Sequence, residues 1–294
     1  MSNRVYVTGA TGFLGRALSP ILTASGFRVV TRTRQTNPRT AANFQTWDHH
    51  SPLDLQECEG VVNLAGEPIF DKRWTSKQKK ALYDSRIGTT RALVDSFKSV
   101  RPKTLVSASA IGFYGEGGER ELDESAAGGD DFLAHICADW EKEAARAETL
   151  GVRVVCLRIG IIIGRRGGAL AKMLPPFKMG VGGPIGSGRQ WMSWVHIEDV
   201  CGTIVHALKT PSLKGAVNAT SPVPVRNKEF SKTLGMVLKR PAFIPTPPLA
   251  LKILLGQSAE VLVASQKVKP VKALESGYRF KYDDLEEALR DASR

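Results

Sequence analysis

Cysteine is scarce in this chain, and its four copies, Cys58, Cys137, Cys156 and Cys201, stand far apart. No pair has metal-ligand spacing and no disulfide framework can be read, so reduced thiols in a cytoplasm-like compartment are expected. His196 and His206 lack carboxylate or histidine neighbours at ligand spacing and are read as structural, so no metal is expected. Long apolar runs are missing too. Arg158 breaks Val154–Gly164 and Lys252 breaks Leu249–Leu255, so no segment spans a bilayer as a helix and no membrane partner is expected. The first strand-like run starts at Arg4, which leaves no room for a signal peptide, and a cytoplasmic location is expected. Internal repeats and low-complexity tails are absent.

Acidic residues are under-represented. Asp and Glu number 29 against 41 Lys and Arg, a formal net charge of +12. The excess is spread over Lys77, Lys79 and Lys80, then Arg165 and Arg166, then Lys267, Lys269 and Lys272, with no recognition motif beside it. Such scatter describes a solvated basic surface plus a pocket for an anionic cofactor, and no specific nucleic-acid partner is expected.

What is present begins at the N-terminus. Arg4-Val5-Tyr6-Val7-Thr8 reads as a buried strand, Gly9-Ala10-Thr11-Gly12-Phe13-Leu14-Gly15 as a glycine turn, and Leu14, Leu18, Ile21 and Leu22 as one face of a helix running to Gly26. Each glycine has a separate task. Gly9 makes the tight turn, Gly12 lets backbone N–H groups approach a pyrophosphate, and Gly15 lets helix and strand pack closely. The pyrophosphate would sit at the positive end of the helix. Pro20 falls inside the helical pattern, where a kink is expected.

A second strand over Phe27–Thr31 runs into Thr31-Arg32-Thr33-Arg34, and no acid occurs between Phe27 and Trp47. At this place an acid accepts from a ribose 2′-hydroxyl, whereas an arginine pairs with a 2′-phosphate, so Arg32 predicts NADP(H) rather than NAD. Two surface arginines in a loop are the alternative. Gly60–Gly66 reads as a third strand, with Leu64-Ala65-Gly66 at a carboxyl end small enough for backbone to approach a ribose or nicotinamide. A helix over Lys77–Val100 carries Arg86, which either points back at the pyrophosphate or is solvated. Thr104–Ser109 is a further strand, with Ser109 and Tyr114 supplying hydroxyls beyond it. A helix over Asp131–Leu150 and one apolar strand over Val152–Ile163 complete the alternation. Strand–helix alternation of this kind predicts an α/β fold, a Rossmann-type doubly wound parallel sheet with a smaller C-terminal substrate lobe. The expected division is 1–164 for the NADP-binding domain and 165–294 for the lobe, with about 190–210 returning to the first domain. Past Gly164, Pro175-Pro176 and Gly182-Gly183-Pro184 read as loop, Val200–Leu208 as a helix capped by Asp199, and Asp283–Leu289 as a capped helix.

Together, Gly9–Gly15, Asn63–Gly66, Ser107–Gly115, Leu157-Arg158 and Trp194–Asp199 resemble the extended short-chain dehydrogenase/reductases, the NAD(P)-dependent epimerase/dehydratase family. Asn63–Ile69, Lys72–Trp74, Gly168–Phe177 and Gly182–Arg189 are similar to its atypical epimerase-family branch, also called nucleoside-diphosphate-sugar epimerase or cell-division-inhibitor homologues. That resemblance implies a cofactor set of the glycine turn (Gly9, Thr11, Gly12, Phe13, Leu14, Gly15) with Thr31, Arg32, Leu64, Ala65, Gly66, Arg86, Ser109 and Ile161. Where active members carry Tyr-x-x-x-Lys, this chain has Cys137 and Glu141. An acid beside a thiol raises its pKa, so this pair cannot exchange a proton as tyrosine does; a small buried apolar role is the simpler reading of Cys137. Met192-Ser193 stands where sugar-nucleotide epimerases grip diphosphate with arginine, and Arg189 lies three positions earlier. The expected function is an NADP(H)-binding oxidoreductase- or epimerase-like protein with a small-molecule substrate. A catalytically silent, NADP-responsive regulator is the alternative.

Overall fold

The computed structural model describes residues 3–33, 44–48, 52–165 and 167–294. Strand β1 (Arg4–Thr8) leads through the glycine turn into helix α1 (Phe13–Ala24), which carries Pro20 within it and continues to Ala24. Strands β2 (Arg28–Thr33), β3 (Phe44–Thr46) and β4 (Gly60–Asn63) follow, then the long helix α2 (Ser76–Ser96), capped by the Thr75 side chain. Next come β5 (Thr104–Ala110), the two-residue β6 (Glu121–Leu122) and α3 (Phe132–Ala145). The expected helix over Asp131–Leu150 therefore stops early, and a tighter turn over Arg146–Leu150 completes it. Strand β7 (Arg153–Ile159) closes this half.

The expected single strand over Val152–Ile163 is two. Gly160 is the break: its N–H donates to the Ala219 carbonyl at 3.0 Å, and a Cβ there would lie 2.5 Å from the Ser193 carbonyl oxygen. Beyond it, β8 (Ile161–Ile163) changes sheet and pairs in parallel with β10 (Trp194–His196). Between them lie α4 (Gly168–Lys178) and β9 (Trp191–Met192). Pro175 and Pro176, expected in loop, stand in the final turn of α4, near its Met179 cap. Helix α5 (Ile197–Lys209) is capped by His196, not Asp199, whose carboxylate is instead taken by the Lys281 and Tyr282 N–H groups at 2.7 and 3.0 Å.

The remaining elements are β11 (Gly215–Ala219), β12 (Val225–Arg226), α6 (Asn227–Leu238), α7 (Pro248–Leu255), α8 (Glu260–Val263), β13 (Lys267–Val268), α9 (Val271–Glu275) and α10 (Leu285–Ala292). Seven strands form one parallel sheet in the order β11-β7-β5-β4-β1-β2-β3. Alternation along β1 divides the core. Val5 and Val7 face Leu18 and Leu22 of α1 and Val200 and Ile204 of α5, whereas Tyr6 faces Leu93 of α2 and Phe97 just beyond it. A third cluster holds the lobe, with Trp194, Phe177, Phe230 and Leu289 at its centre. Among the described residues no helix is long and apolar enough to cross a membrane.

The strand order reverses between β1 and β4, and ligands of open α/β sheets bind in the crevice outside the carboxyl ends at such a point. Register brings Thr8, Arg32, Asn63 and Ser107 level there. Buried polar side chains tie these ends together. Thr8 Oγ1 donates to Asn63 Oδ1 at 2.6 Å, Asn63 Nδ2 donates to Thr90 Oγ1 at 2.9 Å, and Trp140 Nε1 donates to the same hydroxyl at 2.9 Å. A satisfied buried network of this kind fixes α2 and α3 against the crevice.

Candidate cofactor and active site

The glycine turn is built for close approach. Gly9 adopts φ +67°, and a Cβ on it would lie 2.5 Å from the Leu64 carbonyl oxygen. A Cβ on Gly15 would come within 2.5 Å of Ala10 Cα, so only glycine lets α1 sit against the turn. The Gly12 N–H closes the loop onto the Gly9 carbonyl at 3.0 Å. Gly12 caps α1 without a side-chain hydrogen bond, and the first turn contains no acid. The N–H groups of Phe13, Leu14 and Gly15 therefore keep their donors and the positive end of the helix for an anion. Thr11 stands half-buried in this turn. The ring of Phe13 lies against Gly164, Gly167 and Gly168, so the residue serves the turn through its backbone.

At the end of β2, the neighbouring residues Thr31 and Arg32 are both buried. Thr31 Oγ1 and Arg32 Nε have no hydrogen-bond partner among the described residues. The Arg32 guanidinium stacks over the Tyr6 ring at 5.1 Å and donates to the Asp54 carbonyl at 2.5 Å. Burial, only partly offset by Tyr6 and Asp54, lowers its pKa. Arg32 is thus a buried arginine with an unspent donor, not a loop arginine in solvent. Arg34 lies outside the described residues. On the far side of β1, Leu64, Ala65 and Gly66 continue from β4, with the Leu64 N–H on the Thr8 carbonyl at 3.3 Å.

Arg86 reaches back from α2 to this segment. It donates to the Leu82 and Glu67 carbonyls at 3.1 and 3.0 Å and stacks over Trp140 at 5.3 Å. A Cβ on Gly66 would lie 3.2 Å from its Cζ. Burial lowers its pKa, against the weaker opposing influence of Cys137 and Glu67. Ile161, the first residue of β8, begins the segment that leaves the main sheet beside this crevice.

Ser109, at the carboxyl end of β5, donates to Glu141 Oε1 at 2.6 Å. Arg158 from β7 holds the same carboxylate with both arms, Nε to Oε1 and Nη2 to Oε2, each at 2.8 Å. Its remaining nitrogen donates to the Tyr114 hydroxyl at 3.1 Å, and Tyr114 donates to Asn218 Oδ1 at 2.7 Å. Burial opposes the charge on Arg158, but the bond and charge of Glu141 prevail and raise its pKa. Cys137 is buried beside this network. Burial first, and Glu141 second, push its thiol up to about 12, so it is protonated at neutral pH. In the sequence Arg158 stands as the charge that interrupts an apolar strand and as half of the Leu157-Arg158 pair, with no partner in view. A charge in such a strand requires a buried partner, and that partner is Glu141.

The two histidines take structural places. His196 stacks on Tyr282 with ring centroids 3.9 Å apart, and His206 meets the Ser276 hydroxyl at 2.9 Å. Ser193 is buried, donating to the Gln266 carbonyl at 2.8 Å and accepting from the Val268 N–H at 2.8 Å. Arg189 is exposed at a surface hollow of about 300 Å³ shared with Gly118, Gln190 and Pro248. No group of three or more metal-ligating side chains occurs among the described residues.

A parallel sheet of this order, with a bare helix N-terminus at its switch point, defines a Rossmann-type dinucleotide-binding fold. Comparison with known sequences narrows the class. The chain belongs to the NAD-dependent epimerase/dehydratase family, whose profile matches residues 5–219, and residues 246–292 match a domain of unknown function (DUF1731). It is 44% identical to the chloroplastic epimerase family protein SDR39U1 homologue of Arabidopsis thaliana, over 97% of this chain and 85% of that one. It is 40% identical to epimerase family protein YfhF of Bacillus subtilis, over 97% and 96% of the two chains. Among solved structures, human SDR39U1 isoform 2 with NADPH superposes with a TM-score of 0.92 at 36% identity, covering 99% of each chain. A UDP-N-acetylglucosamine 4-epimerase from Bacillus cereus, 18% identical with a TM-score of 0.80 over 98% of this chain and 97% of that one, shares the fold.

Proposed function

We propose that this chain is an NADP(H)-binding, oxidoreductase-like protein whose reaction does not pass through a Tyr-x-x-x-Lys pair. The observation that carries the cofactor half is the buried end of β2, where Thr31 Oγ1 and Arg32 Nε lack partners among the described residues. Unsatisfied buried donors beside an unused helix N-terminus suit a phosphorylated ribose and a pyrophosphate. NADPH is the ligand of the human relative at 36% identity. The glycine turn would hold the pyrophosphate, Thr31 and Arg32 the 2′-phosphorylated ribose, and Leu64, Ala65, Gly66, Arg86 and Ile161 the rest of the cofactor. Bound NADPH would supply a hydride.

Proton handling falls to other groups than in the tyrosine enzymes. Cys137 keeps its proton, because a thiol pushed up to about 12 does not exchange one readily at neutral pH. Ser109 is the hydroxyl at the end of β5, and its proton is engaged by Glu141 at 2.6 Å. A carbonyl oxygen would accept from Ser109 only if that hydroxyl turned away from Glu141. The substrate class that fits this reading is a small carbonyl compound, whose oxygen would take the Ser109 proton as the hydride arrives, solvent reprotonating the serine; sugar-nucleotide epimerisation is disfavoured by Met192 at the diphosphate position.

The closed Ser109–Glu141–Arg158 network also supports a second reading, a catalytically silent protein that responds to NADP(H). A panel of carbonyl compounds and sugar nucleotides with NADPH separates the two. Oxidation of NADPH above background, unchanged in Cys137→Ala, supports the oxidoreductase. Tight binding without turnover supports the regulator, and loss of turnover in Cys137→Ala would return proton transfer to the thiol.

A further inference from the structure

Helix α7 is eight residues long, and none of its side chains is buried. Leu249, Ile253 and Leu254 are 68%, 69% and 71% exposed, an unusual state for large apolar residues in a row. They do not stand alone. The segments on either side of α4 and α7 run together: Gly186 N–H donates to the Thr246 carbonyl at 2.9 Å, and Thr246 N–H donates to the Pro184 carbonyl at 2.8 Å. A Cβ on Gly186 would lie 3.1 Å from Pro248 Cγ, and one on Gly180 would lie 3.6 Å from Pro241 Cδ. This pairing brings Met179 and Val181 beside Phe243 and Ile244, all four exposed, in continuity with α7.

The border of the patch is basic. From Phe230 to Ala259 the sequence has Lys232, Lys239, Arg240 and Lys252 and no Asp or Glu; from Ile161 to Ile197 it again has no acid. Lys232, Lys239 and Arg240 surround a groove with Met236 and Phe243, while Lys178 precedes Met179 and Lys252 lies on α7 itself. Among the described residues, none of these five cations is within ion-pair distance of a carboxylate. Much of the net charge of the chain is thus gathered around exposed apolar side chains.

We propose that this face, α7 with the Met179–Val181 and Phe243–Ile244 turns, docks on an anionic phospholipid surface. Apolar side chains of a surface helix enter the headgroup boundary while the surrounding lysines and arginines meet anionic headgroups. The same charge argues against a second copy of the chain. A two-fold contact through this face would bring two sets of five unpaired cations into one interface with no carboxylate between them. No span is involved, in keeping with the described residues, where no helix is long and apolar enough to cross a membrane. It adds a surface partner where the sequence suggested none, because exposure of Leu249, Ile253 and Leu254 is visible only in the fold.

Co-sedimentation of the full chain with phosphatidylglycerol-containing vesicles, and with phosphatidylcholine vesicles alone, tests it. Binding to the anionic vesicles that weakens with salt is expected. Leu254→Glu, with thermal stability unchanged because the site is exposed, should lower the partition about tenfold. Lys239→Glu should weaken binding to anionic vesicles and leave the weak binding to neutral ones alone. Absence of sedimentation with anionic vesicles at low salt overturns the proposal, as does binding indifferent to Leu254→Glu. A dimer in sedimentation velocity that Leu254→Glu dissociates, without vesicle binding, assigns the face to a second copy and also overturns it.

Discussion

Replacing Arg158 by Met would remove the partner of a carboxylate that has few others. Arg158 is 4% exposed and Glu141 accepts from both of its arms and from Ser109. Without the guanidinium, the Glu141 carboxylate keeps, among the described residues, only the Ser109 hydroxyl, and Tyr114 loses the donor to its oxygen. Breaking a buried ion pair from one side costs about 3–5 kcal/mol, because the remaining charge stays desolvated. In a chain of this size each kcal/mol lowers Tm by roughly 2–4 °C, so Arg158→Met should melt about 10 °C below the parent. Arg158→Met with Glu141→Leu should recover most of that loss, since well-packed apolar residues often replace a buried pair at little cost. Thermal and urea denaturation of the parent, both single variants and the double variant measure the coupling directly. Should Arg158→Met cost less than about 1 kcal/mol, or should the two single losses simply add, the pair is not the joint between β7 and α3 described above.

Gly15→Ala should lower NADPH affinity by more than about tenfold and cost about 1–3 kcal/mol, because its Cβ forces α1 away from the turn; native stability and affinity would contradict the close packing. His196 is buried against Tyr282 and Asp291, and burial lowers its pKa below the ordinary 6.5. The unfolded chain then binds a proton that the folded one refuses, so the stability is full above about pH 6.5 and is lost as pH falls through that value. Melting curves between about pH 7.5 and 5.5 should show this slope, and His196→Asn should flatten it.

The first half of the fold was legible because its signals are local. The β-branched run before Gly9, the three glycines and the apolar spacing of the helices over Lys77–Val100 and Asp131–Leu150 each follow from a few adjacent residues. The breaks came where distant partners decide. Gly160 ends β7 because Ser193 and Ala219, remote in sequence, occupy the space and the hydrogen bonds beside it. Asp199 looked like a cap, but the chain from Tyr278 to Tyr282 folds back and takes its carboxylate. Strand β3 carries too few residues, and β11, Gly-Ala-Val-Asn-Ala, too few β-branched ones, to announce themselves.

The site divides in the same way. The glycine turn and Arg32 stand out from the residues themselves, whereas Cys137 and Glu141 are picked out only by the family resemblance. The use made of Glu141 could not be read from either, since its partner Arg158 lies on another element. That partner changes a natural experiment. Restoring a tyrosine–lysine pair with Cys137→Tyr and Glu141→Lys would set a lysine against the buried Arg158, and the repulsion should unfold the variant. Recovery of that pair requires replacing Arg158 as well.

The central claim, that the end of β2 reads a 2′-phosphate, is tested most directly by titrating NADPH and NADH against the parent and Arg32→Ala. The parent should bind NADPH at least about tenfold more tightly than NADH, about 1.4 kcal/mol, and Arg32→Ala should lose most of that preference while binding NADH nearly as before. Equal affinities in the parent, or a preference untouched by Arg32→Ala, would contradict it.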